Sequence, residues 1–158
     1  MLKKILTPEL CAKCRICCSF TESDKWEIPL LAGDEERKAA LALGDVEDIP
    51  GTNCGVFSMK FSGDELVYCP AAGENGCRLG EKRPFDCRIW PFRVMKLDRT
   101  LVITLSPVCP EVQKLPLEAL TEFVSGDFSE MLFRHAEEYP ETVKPYINSY
   151  PVLCVREK

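Results

Sequence analysis

The chain predicts an α+β fold, a small metal-organised domain with short β-hairpins and a C-terminal helical segment. Three observations lead there. The segment CAKCRICC puts four cysteines into the eight residues from Cys11 to Cys18, a density that no apolar core requires. Two pairs of short apolar runs follow, each pair broken by turn residues, and these read as hairpins. Beyond Leu115 cysteine becomes sparse, and apolar residues recur at helical spacing in LEALTEFVSG and FSEMLFRHAEEY.

Composition narrows the class. A length of 158 residues and 46 % hydrophobic content suit one domain with a modest core. Residues 1–158 therefore read as a single domain, with 11–110 as a cysteine-cluster metal-binding core and 115–150 as a helical buttress. No run of about 18 apolar residues offers a membrane span. The opening MLKKILTPEL lacks the apolar stretch of an export signal, so a cytoplasmic location is expected. A net charge of −5 supplies no general pull toward nucleic acid or an anionic membrane, and neither is expected as a partner.

Ten cysteines in a reducing compartment point to metal or redox chemistry and away from disulfides. His135 is the only histidine and lies far along the chain from every cysteine group. Mixed Cys/His zinc sites and Cys–His or Ser–His catalytic pairs have almost no material to draw on. The expected site is all thiolate, and no residue is read as catalytic.

Taken in order, CAKCRICC contains two overlapping C-x2-C pairs, Cys11/Cys14 and Cys14/Cys17. A turn would bring both sulfurs of a pair to one side, and a helix would put all four within an arc of about 120°, so either backbone gives a sulfur-lined face. Cys14, shared by both pairs, is expected to matter to metal binding and to the fold. A helix is expected over DEERKAALAL, Asp34 to Leu43, with acidic residues in its first turn and Gly44 as its cap. VFSMKF and ELVYC around SGD form the first expected hairpin, and FRVMKL and LVITL around DRT the second. The loop between them carries Cys77 and Cys87. After the two helices the chain closes in a proline-containing tail that reads as irregular and holds Cys154.

The vicinal pair Cys17–Cys18 is hard to fit on one small ion, because neighbouring side chains diverge; two centres or one larger cluster use it better. Four later thiols, Cys69, Cys77, Cys87 and Cys109, raise the number to eight, enough for two four-sulfur sites. Cys69 and Cys109 are each followed by proline, which removes a competing N–H and fixes the chain leaving the sulfur. Cys54, in TNCG, is a possible additional ligand or a small buried hydrophobe, and Cys154 reads as the latter. Lys13, Arg15, Arg78, Lys82, Arg83, Arg88 and Arg93 cluster along the cysteine segments, where cations lower thiol pKa values. Asp86, between Arg83 and Arg88, reads as a salt-bridged loop anchor. Trp90, Pro91 and Phe92 read as a lid over the second cysteine block.

CAKCRICC matches the C-x2-C-x2-C-C signature of the YkgJ-type cysteine-cluster family, described as zinc- or iron-chelating. YCP…GCRLGEKRPFDCRIWPF resembles that family's second block, with Cys69, Gly76, Cys77, Arg83, Pro84, Cys87, Arg88 and Pro91 on its positions. Leu79–Gly80 and Trp90 depart from it at packing positions. The resemblance spans about residues 11–110, and it implies chelation without naming a reaction. A similar block occurs in a flagellin lysine methylase associated with an iron–sulfur cluster, but this chain has no glycine-rich S-adenosylmethionine loop.

The reading that combines these features is an all-cysteine metal-binding protein holding one or two iron–sulfur clusters, of 4Fe–4S type, for electron transfer, redox sensing or structure. Its expected ligands are Cys11, Cys14, Cys17, Cys18, Cys69, Cys77, Cys87 and Cys109, with Arg83 and Arg88 supporting them. The alternative is a Zn²⁺-binding structural or interaction module without catalysis. In either case a protein partner is expected, whose identity the chain leaves open.

Overall fold

The computed structural model describes residue 2 and residues 4–157. The chain divides into two compact units, Met1–Arg88 and Ile89–Lys158. The division falls ahead of the composition change near Leu115. Helices and several small sheets make the fold mixed α and β, as expected. Among the described residues no helix is long and apolar enough to cross a membrane.

In the first unit, helix α1 (Pro8–Cys14) begins at Thr7, whose hydroxyl accepts the Leu10 N–H at 3.4 Å, with proline in the first turn. It stops where Arg15 turns left-handed, φ 54°, and donates its N–H to the Cys11 carbonyl. A 3₁₀ turn, Ile16–Cys18, leads into β1 (Ser19–Phe20). CAKCRICC is thus a helix and a turn in succession rather than either alone. Strand β2 (Leu30–Ala32) runs into α2 (Gly33–Leu41), the expected helix, although its cap is Ala42 and not Gly44. Strands β3 (Val46–Asp48) and β4 (Cys54–Phe57) complete an antiparallel sheet of order β2-β4-β3. Leu31, Ala40, Phe57 and Ala71 form the buried core, and Cys69, Cys77 and Leu79 pack against it.

The first expected hairpin does not form. Strand β4 is central, with β2 on one edge and β3 on the other, so no edge is left for the residues after Phe57. Gly55 allows that closeness: a Cβ there would sit 3.0 Å from Val46 Cγ1 and 3.1 Å from the Glu47 carbonyl oxygen. The ELVYC segment supplies β5 (Val67–Tyr68), which pairs with β1 instead, Ser19 opposite Tyr68 and Phe20 opposite Val67. A short hairpin, β6 (Ala72–Gly73) and β7 (Gly76–Cys77), comes next, and the one-turn helix α3 (Phe85–Ile89) runs across the division between the units.

The second unit contains the second hairpin as expected. Strands β8 (Phe92–Leu97) and β9 (Thr100–Leu105) pair around a two-residue loop in which Asp98 takes φ 54°, a conformation aspartate tolerates. Helices α4 (Leu117–Val124) and α5 (Asp127–Glu138) follow and lie against the strands. The tail expected to be irregular is ordered as β10 (Lys144–Pro145), parallel to β8, and β11 (Val152–Val155), antiparallel to β9 with a register shift between Val152 and Cys154. These short strands pair only with partners about 50 residues away, which local patterning cannot reveal.

Phe92 is fully buried in this unit, its ring centroid 5.7 Å from Phe123 and 5.6 Å from Phe128. It belongs to an aromatic core of the second unit, and Trp90 lies under the Arg93 guanidinium at 4.9 Å. Truncating Phe92 to alanine removes the shared ring of both contacts and leaves a cavity. Phe92→Ala should lower unfolding free energy by about 4 kcal/mol, read from urea denaturation. A loss below about 1 kcal/mol would show that the three rings do not form a cohesive core.

Candidate metal centre

Main-chain pairing brings the two cysteine blocks together. The Cys69 N–H donates to the Cys18 carbonyl at 2.8 Å, extending the β1–β5 ribbon by one rung. From Cys69 the chain turns, Ala72 N–H to Cys69 carbonyl at 2.9 Å, and enters the β6–β7 hairpin, where Ala72 stands opposite Cys77. The hairpin is tight enough to need its glycines: Gly76 has φ 109°, and a Cβ on Gly73 would lie 2.9 Å from the Gly76 carbonyl oxygen. Helix α1, with Cys11 and Cys14 one turn apart, lies against β7.

Two carboxylates fix the segment that carries Cys87. Glu36 Oε1 accepts the Phe85 N–H and its Oε2 the Ala32 N–H, each at 2.8 Å, so one side chain caps both α2 and α3. Asp86 Oδ2 accepts the Leu30 N–H at 3.0 Å. Asp86 is therefore the expected anchor, but it works through a strand N–H and not through an arginine. Arg88 lies 3.5 Å from Glu36 and over the Phe85 ring at 5.5 Å, which ties it to the anchor. Burial raises the Glu36 pKa, and the two N–H bonds and Arg88 offset that only in part.

Six thiols, Cys11, Cys17, Cys18, Cys69, Cys77 and Cys87, are electrostatic neighbours. The Cys17 and Cys18 sulfurs are 4.0 Å apart. Cys18 is brought down to about 7, first by the hydrogen bond from Cys17 and then by the nearby Arg83 and Arg15. That same hydrogen bond, followed by burial and the neighbouring thiols, drives the Cys17 thiol up. Burial lifts Cys69 to about 11, against the Ala71 and Ala72 N–H groups that point at its sulfur. It also lifts Cys77, against the Leu79 and Gly80 N–H groups and Arg83. Cys87 is pushed well up by burial and by Cys18, Asp86, Cys69 and Cys77.

The set is short of a formed coordination shell. Among the described residues no three His, Cys, Asp or Glu side chains are grouped closely enough to hold a metal ion. The donor chemistry nevertheless fits a thiophilic centre: the neighbours are all sulfur, histidine is remote in the sequence, and amide and guanidinium groups face the sulfurs. The other expected residues are spread out. Cys14 is exposed at the end of α1, Cys54 is buried in β4, and Cys109 is buried in the second unit, which also holds Cys154.

Sequence reasoning missed Glu36 and the amides around Cys69 and Cys77. A glutamate four residues into a helix gives no signal of a contact 49 residues away. The Cys–Pro and Cys-x2-Gly turns did carry a local hint of N–H groups aimed at sulfur. Comparison with family models, with curated proteins and with solved structures finds no match. The likeness to the YkgJ-type cluster family accordingly stands on the two cysteine motifs alone.

Glu36 gives two expectations. Glu36→Ala leaves the Phe85 and Ala32 N–H groups without their acceptor and should lower stability by about 3 kcal/mol, as measured by urea unfolding. Because the folded-state pKa is raised, the carboxyl's contribution is largest below the ordinary carboxylate range and declines as pH rises through the raised value. The stability difference between wild type and Glu36→Gln should then move toward the glutamine variant with rising pH. A shift toward wild type would mean that Arg88 and the N–H bonds outweigh burial.

Proposed function

We propose that this protein binds metal through the cysteines of its first unit, and that the bound group is an iron–sulfur cluster. The observation that carries the reading is the grouping of six neighbouring thiols from separate segments, with no histidine among them. Six sulfurs exceed the four that one zinc ion or one 4Fe–4S cluster takes, but a cluster spreads its ligands over several irons and so does not force the vicinal Cys17 and Cys18 onto one ion. When bound, such a cluster supplies one-electron chemistry.

The chain's own groups have defined tasks in this scheme. The N–H groups of Ala71 and Ala72 at Cys69, and of Leu79 and Gly80 at Cys77, hold charge on those sulfurs. Arg83 does so for Cys18 and Cys77, and Arg15 for Cys18. Glu36 and Asp86 hold the turn that presents Cys87. The two cysteine motifs shared with the YkgJ-type cluster family agree with chelation. Redox sensing or electron transfer to a protein partner is the role this arrangement fits.

Anaerobically purified protein should be brown, with iron and acid-labile sulfide in matching amounts. Cys87→Ser should lose more than half of that iron, with unchanged content in Cys154→Ser as the control. Colourless protein carrying zinc would replace the cluster with a structural ion. Metal-free protein that takes up neither iron and sulfide nor zinc would end the reading.

A further inference from the structure

Vicinal cysteine side chains ordinarily diverge, but those of Cys17 and Cys18 converge, with their sulfurs 4.0 Å apart in hydrogen-bond contact. The backbone accounts for it. Arg15 turns left-handed and ends α1, and Ile16–Cys18 then fold into a single 3₁₀ turn. The Cys18 N–H donates to the Arg15 carbonyl at 2.9 Å. The Ser19 N–H and hydroxyl both donate to the Ile16 carbonyl, the hydroxyl at 3.2 Å. The Cys18 carbonyl in turn accepts the Cys69 N–H at 2.8 Å. These bonds hold the pair in place on both sides without using either sulfur.

Such a pair is close to a bond. Disulfide sulfurs lie about 2.05 Å apart, so from 4.0 Å each has about 1 Å to travel, within reach of rotation about its Cα–Cβ bond. Both residues are half-buried and follow the exposed Ile16, so a small oxidant has access to them. The bond formed would also be easy to reopen. The peptide joining them is trans, which sets their Cα atoms about 3.8 Å apart. Relaxed disulfides span roughly 4.4–6.8 Å, and strained ones are the more readily reduced.

We propose that Cys17 and Cys18 form a reversible two-electron redox switch, a vicinal dithiol that a peroxide closes to a disulfide and a small thiol reopens. One sulfur of the pair attacks the peroxide, the O–O bond breaks, one oxygen leaves as water and the other stays on sulfur as a sulfenic acid. The second sulfur attacks the first, the S–O bond breaks, and a second water leaves as the S–S bond forms. Two electrons pass from the two thiols to the peroxide, and both thiol protons end in water. Reopening is thiol–disulfide exchange, in which the reducing thiol is itself oxidised. The chemistry runs on these two sulfurs and needs no metal. Where a metal is bound, closure withdraws both sulfurs from it, a consequence that rests on the metal-binding reading above. Closure also pulls on the 3₁₀ turn whose Cys18 carbonyl holds Cys69.

Full-length protein, as purified and after EDTA, is given a small excess of hydrogen peroxide, its remaining thiols are alkylated, and its tryptic peptides are read by mass spectrometry. Cleavage after Arg15 and Lys25 leaves Cys17 and Cys18 as the only cysteines of peptide 16–25. That peptide should appear unalkylated and lighter by two hydrogens than its dithiol form, and dithiothreitol should restore two alkylation sites. It should close about tenfold faster than Cys154 is lost to alkylation, because the second thiol is already in place. Closure confined to the EDTA-treated sample would support the switch, with metal as the competitor. Cross-links from this peptide to other cysteines, accumulation of sulfinic acid on Cys17 or Cys18, or loss of Cys154 at the same rate would overturn it. A sample that closes the pair yet neither holds nor takes up metal would support the switch and end the metal-binding reading.

Discussion

Crowding of buried sulfur is the constraint to which the first unit answers. At 4 Å, two like charges repel by about 4 kcal/mol even at an effective dielectric of 20, which is a large part of a domain's whole stability of about 5–15 kcal/mol. Cys17 and Cys18 stand at that distance, and the hydrogen bond between them pushes their thiol pKa values apart, Cys18 down and Cys17 up. Four more thiols close by compound the problem. Amides at Cys69 and Cys77, and Arg15 and Arg83 beside Cys18, offset part of it, yet burial still holds Cys69, Cys77 and Cys87 above the ordinary thiol range. A bound cation would remove the repulsion among all of them at once.

Holding such a group in place requires a scaffold that does not rely on the sulfurs. Main-chain bonds supply it at Cys18–Cys69 and across β6–β7. At Cys87 the device is a half-buried carboxylate. Glu36 is disfavoured as a charged group, but an apolar residue would leave two N–H groups without acceptors, each costing about 1–3 kcal/mol. Arg88 then limits the electrostatic penalty of the carboxylate that remains. The arginine next to a cysteine in sequence thus supports the carboxylate that supports the cysteine, and the more distant Arg83 reaches the sulfurs themselves.

What could be read from the chain divides by range. The helices α2, α4 and α5 and the β8–β9 hairpin are set by local periodicity and turn chemistry, and all were legible. The partner of β5 was not, because VFSMKF alternates as well as any strand and only the occupation of both β4 edges excludes it. The strand around Cys154 was hidden for the same reason, since its pairing partner is β9. At the site, the residue types and the two cysteine blocks were evident from spacing. Their unequal environments were not: Cys14 is exposed and Cys87 half-buried with Cys18, Cys69 and Cys77 as neighbours, and nothing in C-x2-C spacing distinguishes them.

The two units differ in how far sulfur and core are one object. In the second, Phe92, Phe123 and Phe128 interlock, and Leu120, Val124, Leu132 and Phe133 are buried, so apolar packing is a large part of its cohesion. In the first, one buried cluster is formed by Leu31, Ala40, Phe57 and Ala71, and two of the side chains packed on it are Cys69 and Cys77. Those sulfurs complete the core on one side and belong to the thiol group on the other. Any change in their charge or ligation is therefore felt directly by the apolar cluster. A change of state at sulfur in this protein is, by construction, a change in the folding free energy of its first unit.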